Sequence, residues 1–327
     1  MRVLEKPKRT LGAVSIVMAA LAVGVAPVLA AKASEIRLVR SGVAHDMLFD
    51  IAFEGQKGIA VGDYGNVLIS DNGGLEWQPA GARAEQLALL GTAISAGRCL
   101  AVGQGGTALV ADDCRDWREV DSGSSERLMS VGLNANGLAY AVGAFGTVLR
   151  SADGGHSWES AELDWSALSP TGAEPHLYGV HVSDDGLVTL VGEFGLILRG
   201  SQGSEWRVAH SGDQSLFGLS VVGEAAYAVG QGGVVLSSSD GGETWRALET
   251  GVSALLTGVW SDGVGRVIVS GLNTILQSED GGRNWLHLDA GEHGQSTHMA
   301  VAASKSEGSG HRILVVGSSA AVLQLTP

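Results

Sequence analysis

Apolar residues along this chain come in short bursts, separated by glycine, aspartate, asparagine and serine. Within the bursts, large apolar residues alternate with small or polar ones, which is the period of a half-buried strand. The bursts fall into groups of four. In one group they span residues 128–133, 138–143, 147–151 and 158–163. Gly143-Ala144-Phe145-Gly146 separates the second from the third, and Asp153-Gly154-Gly155 separates the third from the fourth. Both junctions read as tight hairpin turns. Four antiparallel strands in about 40 residues describe one blade of a β-propeller.

The group recurs along the chain. Its second strand ends in Gly62, Gly103, Gly143, Gly192, Gly230, Gly271 and Gly317, which gives seven units. In six of them a tryptophan follows 14 or 15 residues later: Trp77, Trp117, Trp158, Trp206, Trp245 and Trp285. The seventh unit has strands at 313–317 and 321–325 and then ends, without a tryptophan. The missing outer strand is expected from the other end of the chain. Residues 36–42 match the outer-strand segments that begin at Trp117 and Trp206, with Ile36 in the tryptophan slot. The predicted fold is therefore all-β: a seven-bladed propeller of four-stranded antiparallel blades, closed by the N-terminal strand in the last blade. Closure of that kind removes the open edge of the ring.

The turn before each outer strand has its own pattern, Ser-x-Asp-x-Gly-x-x-Trp, the Asp-box of BNR-type repeats. Ser151, Asp153, Gly155 and Trp158 fit it, as do Ser238, Asp240, Gly242, Trp245 and Ser278, Asp280, Gly282, Trp285. Ser70, Asn72, Gly74 and Trp77 are a near copy. A short carboxylate or amide satisfies the turn's backbone N–H groups, and the glycine takes a positive φ. These residues are expected to be scaffold. In the second unit Cys114 stands in the glycine slot, and Cys99 opens the second strand at the same end of the blade. The two are expected to form a disulfide across that turn.

Composition adds three constraints. Glycine is abundant, at 49 residues, as many tight turns require. The formal charge of −14 repels phosphate backbones and anionic headgroups, so neither a nucleic-acid partner nor an anionic membrane surface is expected. At the N-terminus, Lys6, Lys8 and Arg9 precede an uncharged run over 11–31 that ends in small residues. This reads as a signal peptide over 1–33, cleaved near 30–33, with the propeller filling 34–327. Its removal would leave the chain still more acidic.

Function is expected on the face made by the central hairpin turns and the blade-linking loops, opposite the Asp-box turns. The hairpin turns carry Asp63, Tyr64, Gln104, Phe145, Glu193, Phe194, Gln231 and Asn273. Tyr64, Phe145 and Phe194 share one slot and suggest an aromatic contact ring. The repeat is interrupted at 164–176, a Pro-bearing loop with the off-pattern Trp165 and with His176 at its end. These five residues are the partner-binding candidates. His293 and His298 in one blade-linking loop could converge with His45 and Asp46 in the next around the ring, but histidines in loops are more often solvated, so no metal is expected, and no cofactor motif or nucleophile arrangement stands out. Tyr140 and Tyr227 fall in scaffold slots, and arginines in the face loops are few, chiefly Arg83 and Arg127, so a sialidase mechanism is not expected.

The run from Tyr140-Ala141-Val142-Gly143 through Val148-Leu149-Arg150-Ser151, Asp153-Gly154-Gly155 and Trp158 resembles the photosystem II assembly and stability factor family. The resemblance covers 36–327. It implies an exported, non-enzymatic propeller that binds newly made membrane-protein segments as an assembly or accessory factor. Such a protein would be a monomer located in the periplasm, or in the thylakoid lumen of a photosynthetic organism. The alternative is a glycan-binding or sialidase-like Asp-box propeller.

Overall fold

The computed structural model describes Met1 and residues 33–81, 87–201, 205–306 and 310–326. The leader expected over 1–33 therefore lies almost wholly outside the described residues. Residues 31–327 form one compact unit of seven four-stranded antiparallel sheets. Six blades are contiguous in the chain. In the seventh, the order is Glu35–Arg40, Val322–Thr326, His311–Gly317 and His298–Lys305. The N-terminal strand thus closes the ring, with Ile36 opposite Leu325.

The inner strands, from blade one to blade seven, are Leu48–Glu54, Leu89–Ser95, Leu128–Leu133, Leu177–Val182, Leu216–Val222, Leu256–Ser261 and His298–Lys305. The second and third strands are the most buried, because each is covered on both faces by neighbouring blades. Outer strands are short and exposed. In blade three only Glu159–Ser160 pairs, less than the expected span, and the outer strands of blades one and six, Gln78–Pro79 and Leu286–His287, are equally short. The core is not one central mass. It consists of seven apolar layers, one between each pair of adjacent blades, such as Ile59, Val61, Val67, Leu89 and Ala101 between blades one and two.

One end of the ring is built for rigidity. Ser151 Oγ accepts from the Gly155 N–H at 2.8 Å and donates to Asp153 at 2.7 Å. Ser238, Ser278 and Ser70 repeat the bond to the glycine N–H at 2.8, 2.9 and 2.9 Å. Hydrogen bonds from Ser238 and Thr244 hold the Asp240 carboxyl well below the usual carboxylate range. Gly155 has φ 88°, and a Cβ there would sit 2.3 Å from Leu100 of the preceding blade. Basic side chains clasp the turn of the following blade. Arg312 donates to the Asn72 and Gly73 carbonyls at 3.1 and 3.0 Å, and Lys57 donates to the Asp113 carbonyl at 3.2 Å. Arg199, only 3% exposed, donates to the Gly241 carbonyl and pairs with Glu243 at 3.1 Å. In blade two, Cys99 and Cys114 are disulfide-bonded, with Cα atoms 5.0 Å apart. Cys114 keeps the left-handed backbone of the glycine slot, at φ 64°.

A candidate partner-binding face

The opposite end carries the central hairpin turns. Their middle residue is left-handed in every blade: Tyr64, Gly105, Phe145, Phe194, Gly232, Asn273 and Ser319, with φ between 51° and 65°. Glycine or asparagine takes this conformation readily, whereas a bulky side chain is strained there by about 1–2 kcal/mol. Tyr64 is nevertheless 70% exposed and Phe145 60% exposed. Phe194 is half-buried. The strain thus holds large aromatic rings outward on a rim where two other blades manage with glycine.

The 164–176 interruption folds onto this rim. Asp164 caps a one-turn helix, Trp165–Leu168, by accepting from the Ser166 N–H at 3.1 Å. Trp165 is half-buried against the layer that holds Tyr140, Val142 and Leu168. Its indole lies over Gly146, where a Cβ would sit 2.5 Å from Nε1. Trp165 therefore pins the interruption to the blade-three turn and does not project as a free anchor. His176 follows, and its Nδ1 accepts from the Phe145 N–H at 3.1 Å, which fixes Nδ1 as the unprotonated nitrogen. From there a row of rings runs inward. Phe145 and His176 meet edge-on at 4.9 Å, His176 lies 6.5 Å from Tyr178, and Tyr178 lies 4.6 Å from Phe217.

The row ends at the mouth of the central channel, a feature the sequence reading missed. A cavity of about 450 Å³ opens there. Its wall is a ring of one residue per blade: Phe49, Leu90, Met129, Tyr178, Phe217, Thr257 and Met299. Each is the second residue of its inner strand, and each is skipped in the pairing to the second strand by a β-bulge. A bulge re-aims the side chain it displaces. The sequence did hold a sign of this. Strict alternation fails at these points, where Leu-Phe, Leu-Leu, Leu-Met and Leu-Tyr place two large apolar residues side by side.

The remaining candidates fall elsewhere. His298 is 3% exposed in the slot that leucine fills in the other six blades, and burial pushes its pKa down to about 4. Among the described residues, no three His, Cys, Asp or Glu side chains gather as a metal site. Tyr140 lies beside Arg150, which pairs with Glu159, so one tyrosine does meet an arginine and a carboxylate. It is only 2% exposed, and burial pushes its pKa up, the wrong direction for a nucleophile. Arg83 lies outside the described residues. No helix among the described residues is long and apolar enough to cross a membrane.

No family model and no curated protein matches the chain. Solved structures do share its fold. YCF48 bound to a D1 peptide superposes with a TM-score of 0.69 at 17% identity, over 91% of this chain and 98% of that one. YCF48 from Cyanidioschyzon merolae gives 0.68 at 19% identity, over 89% and 98%. The extracellular domain of BT4673 from B. thetaiotaomicron gives 0.68 at 10% identity, over 90% of this chain and 40% of that one. At these identities the likeness is one of fold.

Proposed function

We propose that this chain is an exported, non-enzymatic propeller that binds a segment of a membrane protein on the rim carrying Tyr64, Phe145 and Phe194. It acts as an assembly or accessory factor, in the manner of photosystem II assembly factors. The observation that carries the reading is the left-handed backbone under three large aromatic residues on one face. The scaffold does not need rings there, since glycine fills the same slot in blades two and five. Strain kept under rings that stay largely exposed, as at Tyr64 and Phe145, points to a use outside the fold. His176 orients Phe145, and Trp165 holds the loop that supplies His176.

Two further observations support the reading. YCF48 has been solved with a D1 peptide bound, on the same fold. The charged-then-apolar segment over 1–33 and the Cys99–Cys114 disulfide both suit an exported protein, with 34–327 as the working propeller in a periplasm or thylakoid lumen. The test is affinity capture from detergent-solubilised membranes of the source cell, with crosslinking to map the contact. We expect an integral membrane protein crosslinked at Tyr64 and Phe145, and its loss in a Tyr64→Gly/Phe145→Gly variant. Crosslinks confined to the opposite face would overturn the proposal, as would turnover of a fluorogenic sialoside.

A further inference from the structure

We infer that the mouth of the central channel is a peptide-binding pocket for an apolar segment carrying a cationic nitrogen, a lysine or arginine side chain or a free N-terminus, received by Asp50. The inference rests on the partner-binding reading above and adds to it a second, chemically selective contact at the centre of the same face.

The wall of the pocket is apolar by construction. Seven bulges direct seven residues to the mouth, and six of these are aromatic or aliphatic, Thr257 being the exception. Below this ring the inner strands approach one another closely. The next position is Gly91, Ser130, Gly179, Gly218, Gly258 and Ala300 in blades two to seven. A Cβ at Gly258 would sit 2.9 Å from the Ala300 Cα, and one at Gly91 would sit 2.7 Å from the Ser130 Cα. Blade one breaks this run of small residues with a carboxylate, Asp50.

Six blades make the same approach without an acid. Asp50 Oδ1 accepts from the Ile51 N–H at 2.8 Å and its Oδ2 from the Thr92 N–H of blade two at 2.9 Å. Each oxygen keeps a further lone pair. No basic group bonds it among the described residues, and burial pushes its pKa up to about 7. A half-buried carboxylate on an apolar wall, with no basic group bonded to it, is strongly attractive to a cation. The rim has the same sign. Asp46, Asp63, Glu126, Glu174 and Glu193 lie in its turns and loops, whereas Arg127 is the one basic residue lining the pocket. Most of the other described basic groups sit at the opposite end or on the outer strands.

The experiment measures fluorescence anisotropy with the purified full chain and a labelled peptide, Ala-Leu-Phe-Lys-Leu-Val, capped at its N-terminus by the label and amidated at its C-terminus. A Lys→Gln counterpart and a lysine-free peptide with a free C-terminus complete the set. We expect the lysine peptide to bind at least tenfold tighter than its glutamine counterpart. Asp50→Asn, which preserves shape and can still accept from Thr92, should abolish that preference while retaining a cooperative thermal transition. Phe217→Ala should weaken both peptides about equally. Equal binding of the two peptides, binding of neither, or a preference that survives in Asp50→Asn would overturn the inference. So would tighter binding of the free C-terminus lost in Arg127→Ala, which would make the pocket a carboxylate receptor. If membrane-protein capture still requires Tyr64 and Phe145 while these peptides fail, the rim reading stands and the channel site does not.

Discussion

A tyrosine held at φ 56° and 70% exposed is kept for a reason other than folding. Tyr64→Gly should therefore raise stability by about 1 kcal/mol or leave it unchanged, while partner capture falls. Chemical denaturation together with the capture assay separates the two effects; a clear loss of stability would place Tyr64 in the scaffold. Asp50 gives a second residue-scale prediction, and its sign follows from the direction of its shift. Its folded pKa of about 7 lies above the ordinary 3.8, so the folded chain holds the proton more tightly than the unfolded one. Its contribution to stability is full below pH 4, is lost as pH rises through 7, and is flat above. The complete shift corresponds to about 4 kcal/mol, and the partial exposure of Asp50 at the channel mouth reduces this to about 2 kcal/mol. Asp50→Asn should remove this slope from a pH series of unfolding midpoints.

At the level of elements, the turns of the two faces are built differently. Those of the rigid face satisfy their own N–H groups with a serine hydroxyl and a carboxylate or amide, and blade two replaces that device with Cys99–Cys114. The bridge closes a 15-residue separation. Reduction should lower stability by about 2–3 kcal/mol, detectable as a drop in Tm with dithiothreitol. Cys99→Ala/Cys114→Gly should recover part of that loss, because glycine suits φ 64° better than any side chain. The repeat made these turns legible, since identical spacing in several blades announces a shared local structure. The inner-strand bulges were less legible. A bulge changes which side chain faces the channel without changing the strand's hydrophobic character, so Phe49, Met129 and Tyr178 passed as ordinary strand residues.

For the whole molecule, closure decides stability. The strand Glu35–Arg40 covers the edge of Val322–Thr326. Deleting residues 33–41 should expose that edge, lower Tm sharply and produce concentration-dependent association, readable by light scattering. A milder change, Ile36→Asp, places a charge beside the layer of Ile313, Val315 and Leu325 and should cost about 2–3 kcal/mol.

Repeat period, strand count, ring closure and the disulfide pairing could all be read from the chain, because each depends on local spacing or on matching segments. The candidate face was legible in outline: Tyr64, Phe145 and Phe194 share a slot that the repeat itself defines. Three things awaited the tertiary structure. Trp165 is a prop over Gly146, decided by how the 164–176 interruption folds back. Phe145, His176, Tyr178 and Phe217 form one row, although their residues come from three blades. The channel mouth with Asp50 exists only when seven inner strands converge on an axis, which no single repeat encodes. Periodicity determines what every blade shares; the ring determines which departures from it meet.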